Sequence, residues 1–320
     1  MHIERHVIDE AGVSAARDGF EGRIGGLVRS LSSERMTAND WSLLAGEFLD
    51  HLGALSVRHP ALDTPQAEAV LRAAEQAASG AVAFAAYFPG HPFTVSLDYV
   101  NFGVSYDAGA DGSPVSLGAS DWLDAFCLAV LTDTAERHRE AFYHARNPQE
   151  EARFPVDALA DGLMAYVLGD LGDDEDADYP PTEAQVLAAL DGGLARIRAF
   201  VAELGSDVGG RPDYLALLAL RALAAGEREA FDAALGRLLL TYRSFGEVST
   251  HPRSLLPLTP LALAALAHRR RGWAPAVDSD YLPRAVITGF ETTRSPEAPS
   301  RADMVAALRS GAELFGRPGE

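Results

Sequence analysis

Three groupings of side chains have the types and spacing to do chemistry. The first is the acidic run Asp173, Asp174, Glu175, Asp176 and Asp178. Carboxylates repeated at helical spacing on a rigid wall can converge on magnesium and a diphosphate, the arrangement used by isoprenoid diphosphate enzymes. Asn39, Asp40 and Glu47 carry part of a second such motif. Leu43 stands where that motif wants a hydroxyl ligand, and the two motifs run in reversed order along the chain. The run itself ends at Pro180-Pro181, which disfavours helical backbone before it, so its carboxylates are expected to splay into solvent.

The second grouping is VDSDYLPR, Val277 to Arg284, which could be an acid pair, a metal clamp or a helix start. The helix start is favoured. Asp278, Ser279 or Asp280 can accept the backbone N–H groups left free there, and Pro283 loses no donor in a first turn. Tyr281 and Leu282 would then fold back onto the preceding helix. The third grouping is the nine histidines, among which there is no HExxH. His2 and His6 are four apart but lie at a terminus expected to fray. His138 and His144 flank arginines on a face read as exposed. The set reads as satisfied or solvated imidazoles.

Composition removes further chemistries. All 27 basic residues are arginine, so neither a P-loop lysine nor a Schiff-base lysine exists. Cys127 is the only cysteine and sits in the apolar stretch WLDAFCLAVL, the setting of an inert core thiol. No GxSxG elbow and no GxGxxG after a strand occurs. The formal net charge of −19 repels nucleic acid and suits a basic protein partner. No catalytic, cofactor-binding or metal-binding residue is assigned, and no cofactor is expected. The charged MHIERHVIDEAG start has no apolar core of a secretory signal, and no uninterrupted apolar stretch suits a bilayer, so a cytoplasmic protein is expected.

Helical spacing dominates the elements that would position these residues. Thr37 caps a helix with Trp41, Leu44, Phe48, Leu52 and Leu55 on one face. Thr64-Pro65 starts a second, running toward Ala78. Ser120 opens a third with Trp122, Phe126, Ala129 and Val130 inward and its Arg137 to Arg146 portion toward solvent. Pro155 starts another, and Thr182 with Gln185 has capping-box spacing for a helix to about Leu204. Two antiparallel helices hinge near Gly226, and Ser254 to Arg271 and Ser300 to Phe315 supply two more. HPFTVSLDYV alternates as a strand, its partner being Asn101 to Tyr106 or Pro114 to Leu117, with Asp111-Gly112 a favoured tight turn.

The expected fold is mainly α, an antiparallel bundle or irregular helical-hairpin array with one small β-hairpin near 93–117. The domain reading is an N-terminal helical lobe 1–168 and a C-terminal helical lobe 182–320. They would form one continuous globular unit across the acidic connecting loop 169–181, where glycine, proline and charge gather.

LLPLTPLALAALAHRRRGWAPAVDSDYLPRAVI resembles the closing signature of the immunity protein 49 family, an apolar helix, a glycine and then an acidic Ser-Asp-Tyr-Leu-Pro segment. EREAFDAALGRLLLTYRSF resembles that family's helix leading to an aromatic corner, and SDWLDAFCLAVLTDTAERHR its tryptophan-bearing central helix. The likeness covers roughly the last two thirds of the chain, in order. It implies a cytoplasmic, helical, non-catalytic protein of bacterial polymorphic toxin loci that binds and neutralises a cognate toxin. The signature falls on Ser279, Asp280, Tyr281, Leu282 and Pro283 and carries over as structural. Asp173 to Asp178, an addition to the family pattern, is the candidate partner-binding segment, a decoy for a phosphate-binding cleft if the toxin is a nuclease. The alternatives are an all-helical magnesium-dependent enzyme on diphosphates and a helical scaffold for another protein.

Overall fold

A computed structural model describes residues 2–33, 35–146, 154–172, 180–205, 207–246 and 249–290. The chain is mainly helical. A two-residue strand, β1 (His2–Ile3), precedes α1 (Glu10–Arg17) and α2 (Phe20–Leu31). α3 (Ala38–Arg58) begins at Thr37, whose amide and hydroxyl both donate to Asp40 Oδ2 at 2.8 Å. Glu47 lies 3.6 Å from Arg23 of α2. Two carboxylates of the partial magnesium motif therefore start one helix and tie its neighbour to it.

α4 (Pro65–Tyr87) starts at Thr64, which accepts from the Ala67 amide at 3.1 Å. It runs past the expected end near Ala78, because Ala81, Val82 and Phe84 continue its buried face. Gly80 is no break. A Cβ there would stand 2.7 Å from Val95 Cγ1 and 3.1 Å from the Trp41 ring, so the glycine admits two neighbours to the helix. β2 (Phe93–Leu97) and β3 (Phe102–Tyr106) pair antiparallel, with Phe93 opposite Tyr106 and Leu97 opposite Phe102. The nearer of the two sequence partners is used, through the 3-10 turn Asp98–Val100 and left-handed Asn101 at φ 48°. Asp111-Gly112 is not the hairpin turn, and Pro114 to Leu117 forms no strand. The short connection is anchored by Gln76, which accepts from the Asp98 amide at 2.9 Å. Trp41 Nε1 donates to the Tyr106 hydroxyl at 2.8 Å and that hydroxyl to the Met36 carbonyl at 3.1 Å, locking the hairpin to α3.

α5 (Ala119–Thr132) ends at left-handed Asp133, φ 61°. The Arg137 to Arg146 portion is therefore not its continuation. It is a 3-10 turn, Ala135–His138, followed by α6 (Arg139–Ala145), which buries Ala141, Phe142 and Ala145. α7 (Pro155–Leu163) ends in a π turn, Met164–Leu168. α8 (Glu183–Glu203) opens with the Thr182–Gln185 capping box, and α9 (Pro212–Ala224) and α10 (Arg228–Gly246) form the hairpin around Gly226, φ 73°. Pro257 divides the segment expected as one helix from Ser254 into a 3-10 turn, Pro252–Leu255, and α11 (Leu258–Arg271). β4 (Asp278–Ser279) pairs parallel with β1, and α12 (Arg284–Ile287) follows. The segment Ser300 to Phe315 lies outside the described residues.

Buried apolar side chains from Ile3 to Phe290 form one large cluster, joined by helix ends gathered on Arg269, Arg270 and Arg271. Arg269 donates to the carbonyls of Val130 and Leu131 at the end of α5, the latter at 2.6 Å. Arg270 donates to Tyr166 and Val167 at the end of the π turn, the latter at 2.9 Å, while its guanidinium lies 4.6 Å over the Tyr166 ring. Arg271 donates to Ala224 at the end of α9 at 2.7 Å. Terminal helix carbonyls lack intrahelical donors and carry the negative end of the macrodipole, so three cations from one helix end satisfy three others. Successive carbonyls demand a planar fork, which lysine does not have. Arg270→Lys should lose about 1–2 kcal/mol in urea denaturation, while Arg29→Lys on the exposed end of α2 should lose nothing measurable.

Candidate functional site

The VDSDYLPR segment does not use its acids to start a helix. Asp278 and Ser279 form β4, and Pro283 is itself the cap of α12. The acids face the N-terminus instead. His2 Nδ1 lies 3.0 Å from Asp278 and His2 Nε2 3.4 Å from Asp280, and these contacts, led by the Asp278 hydrogen bond, raise the imidazole above its ordinary value. The Ile3 carbonyl accepts from the Asp280 amide at 3.2 Å and from Ser279 Oγ at 3.1 Å. Tyr281 is fully buried, with Pro283 also buried and Leu282 half-buried against the core.

Tyr281 turns toward the N-terminal segment, where the terminus expected to fray is pinned. The His6 amide donates to the Tyr281 hydroxyl at 3.0 Å, His6 Nδ1 lies 2.7 Å from that hydroxyl, and His6 Nε2 lies 2.8 Å from Ser254 Oγ. One placement of protons satisfies the chain: Tyr281 O–H donates to Nδ1, Nε2–H donates to Ser254 Oγ, and Ser254 O–H donates to the His251 carbonyl at 2.7 Å. A nucleophilic serine would need the opposite polarity at Nε2, with the imidazole accepting the serine proton. The serine, histidine and tyrosine here are a structural latch.

The other sequence candidates separate. His138 is half-buried against Glu75 at 3.4 Å, not on a solvated face, and burial lowers its imidazole below the ordinary value. Glu75 also accepts from Ser79 Oγ at 2.7 Å and Thr134 Oγ1 at 2.9 Å, a network that ties α4 to the end of α5. His144 is exposed. Cys127 is fully buried beside Thr259, and burial pushes its thiol far up. Asp173, Asp174, Glu175, Asp176 and Asp178 lie outside the described residues. Among the described residues, no three His, Cys, Asp or Glu side chains are placed to share a metal ion, and no helix is long and apolar enough to cross a membrane.

One pair of carboxylates escaped sequence reasoning. Asp124 on α5 keeps solvent access, yet protein crowds around it. That desolvation, with the nearby Asp121 charge adding, pushes its carboxyl up to about 6, and Arg253 offsets only part. Tyr242 stands close by, bonded to Thr259, its phenol raised chiefly by burial. The signal was present in SDWLDAF: two aspartates three apart share one side of a helix whose other positions are apolar.

The profile of the family described as Immunity protein 49 matches residues 59–286. It reaches further toward the N-terminus than the resemblance did, taking in α4 and the hairpin, and leaves β1 and α1 to α3 before it. No curated protein and no solved structure gives a significant match. The match spans most of the chain, from α4 through the Ser279 to Pro283 signature, and on that ground the chain belongs to the immunity protein 49 family.

Proposed function

We propose that the chain protects the bacterium that makes it by binding a cognate toxin in the cytoplasm and covering its surface, with no reaction of its own. Family membership carries this reading. The charge balance supports a basic toxin, because a net charge of −19 speeds encounter with a basic partner and orients it. The Asp121 and Asp124 pair supports a point of contact, since a toxin arginine or lysine seated beside it would relieve the repulsion between the two carboxylates. The Asp173 to Asp178 run would be a second contact, and the segments 1–168 and 182–320 would act as one body.

The test is co-expression with small toxin domains encoded beside this chain, followed by toxin activity and affinity at several salt concentrations. A tight complex with a silenced toxin is expected, with affinity falling as salt rises. Asp124→Asn should weaken that complex about tenfold, a loss of about 1.4 kcal/mol. Folding does not confound this variant. The raised carboxyl favours the fold below the ordinary carboxylate value and loses that benefit as pH rises through about 6, so near neutral pH the amide is no less stable. Replacing Asp173, Asp174, Glu175, Asp176 and Asp178 with serine should reduce affinity and flatten the salt dependence; no change in either would remove that run from the interface. A toxin that stays active inside the complex would sink the reading.

A further inference from the structure

A niche of about 580 Å³ opens between the first turn of α2, the C-terminal half of α3 and the start of α4. α2 begins at Gly19, which is left-handed at φ 65° and brings no side-chain acceptor to the helix start. Phe20, Glu21 and Gly22 line the niche, their amides have no capping side chain, and the space beside Gly19 and Gly22 is open. A helix start of this kind attracts anionic oxygens. Arg58 is exposed on the same wall and makes no hydrogen bond or ion pair among the described residues. Its charge also acts on Asp18, which Arg17 already pairs, so this arginine has no carboxylate of its own.

A second observation comes from His51, another residue of the niche wall, which is only 3% exposed. Its Nδ1 lies 3.1 Å from the Ala16 carbonyl, which can only accept, so Nδ1 carries the proton and Nε2 is a bare acceptor. Nε2 is buried and has no partner, and the ring is fixed by stacking on Phe20 at 3.8 Å. Buried polar atoms are paired almost everywhere in folded proteins, so an orphan acceptor at the wall of a cavity points to a ligand that brings a donor.

We infer that this niche binds a phosphate group that carries a proton: the α2 amides and Arg58 take the charged oxygens, and the P–OH donates to His51 Nε2. The pairing selects among anions by chemistry. Sulfate and carboxylates offer acceptors but no proton at neutral pH, whereas phosphate and its monoesters keep one in reach. The other charged groups around the ring are Arg17, held by Asp18 at 2.8 Å, Arg23, whose charge adds to burial in keeping His51 neutral, His59, and Glu21, which opposes an anion. Most of the wall precedes residue 59, where the family match begins, so the inference stands apart from the toxin-binding reading.

Calorimetric titration of the full chain with inorganic phosphate and with sulfate, at about pH 6 and about pH 8, with the His51 ring followed by NMR, tests this. Phosphate should bind at least about tenfold more tightly than sulfate at both pH values, because its dianion still carries a P–OH, and should shift the Nε2 resonance. A monoester, which loses its last proton at about pH 6, should instead weaken about tenfold at the higher pH. Arg58→Ala should weaken phosphate about tenfold and Glu21→Gln should tighten it, and neither change disturbs the core. Phosphoserine in place of inorganic phosphate separates a monoester from the free ion as the source. Equal binding of sulfate, an unmoved His51 resonance, or no binding of phosphate at millimolar concentration overturns the inference.

Discussion

Tyr281→Ala is expected to lower the free energy of unfolding by about 4 kcal/mol. The ring is fully buried, so truncation removes an aromatic from water-free contact and leaves a cavity that the adjoining turns cannot close. The hydroxyl adds a second loss. It holds both the amide and the ring of His6, and without it a buried donor and the imidazole that braces Ser254 are left unmatched. Tyr281→Phe isolates that part and should cost about 1–2 kcal/mol. Urea denaturation with an unchanged m-value reads both numbers, and amide exchange at Asp280, which donates to Ile3, reports release of β1. A Tyr281→Ala variant within about 1 kcal/mol of the parent would show that the signature does not hold the N-terminal segment in place.

What the sequence disclosed and what it withheld divide along chain distance. Thr37, Thr64-Pro65, Pro155 and Thr182 with Gln185 mark helix starts because their partners lie within one turn, and the structure places a start at each. The Phe93 to Leu97 strand was legible for the same reason, its period being local. The latch was not: His6 meets Tyr281 across 275 positions, and nothing near either residue announces the other. Nothing beside Arg269 to Arg271 announces the carbonyls they satisfy, which belong to α5, the π turn and α9. The fraying assigned to the first residues, the helix start assigned to Asp278 to Asp280 and the exposure assigned to His138 failed for one physical cause. Each rested on the residue's own type and neighbours, while its state is set by a charge or hydroxyl brought from far along the chain.

Gly53→Ala sets two known effects against each other. On helix propensity alone, alanine in the interior of α3 gains about 1 kcal/mol over glycine. The structure reverses the sign. A Cβ at Gly53 would overlap the carbonyl of Pro252 and stand 2.8 Å from the amide nitrogen of Arg253, and both are backbone. No rotamer can relieve that contact, so α3 and the Pro252–Leu255 turn must separate. The separation strains the Arg253 amide bond to Asp50, 3.0 Å long, and shifts Ser254, which braces His6. Overpacking against fixed backbone lies at the upper end of its range, so a net loss of about 2–3 kcal/mol is expected. Gly46 on the same helix is the internal control: a Cβ there would meet only the far end of the Arg253 side chain, which can swing away, so Gly46→Ala should be near neutral or mildly stabilising. Chemical denaturation of the two variants side by side decides the matter. Equal stability for both would mean that α3 does not depend on close approach at Gly53 to seat the turn that carries Ser254.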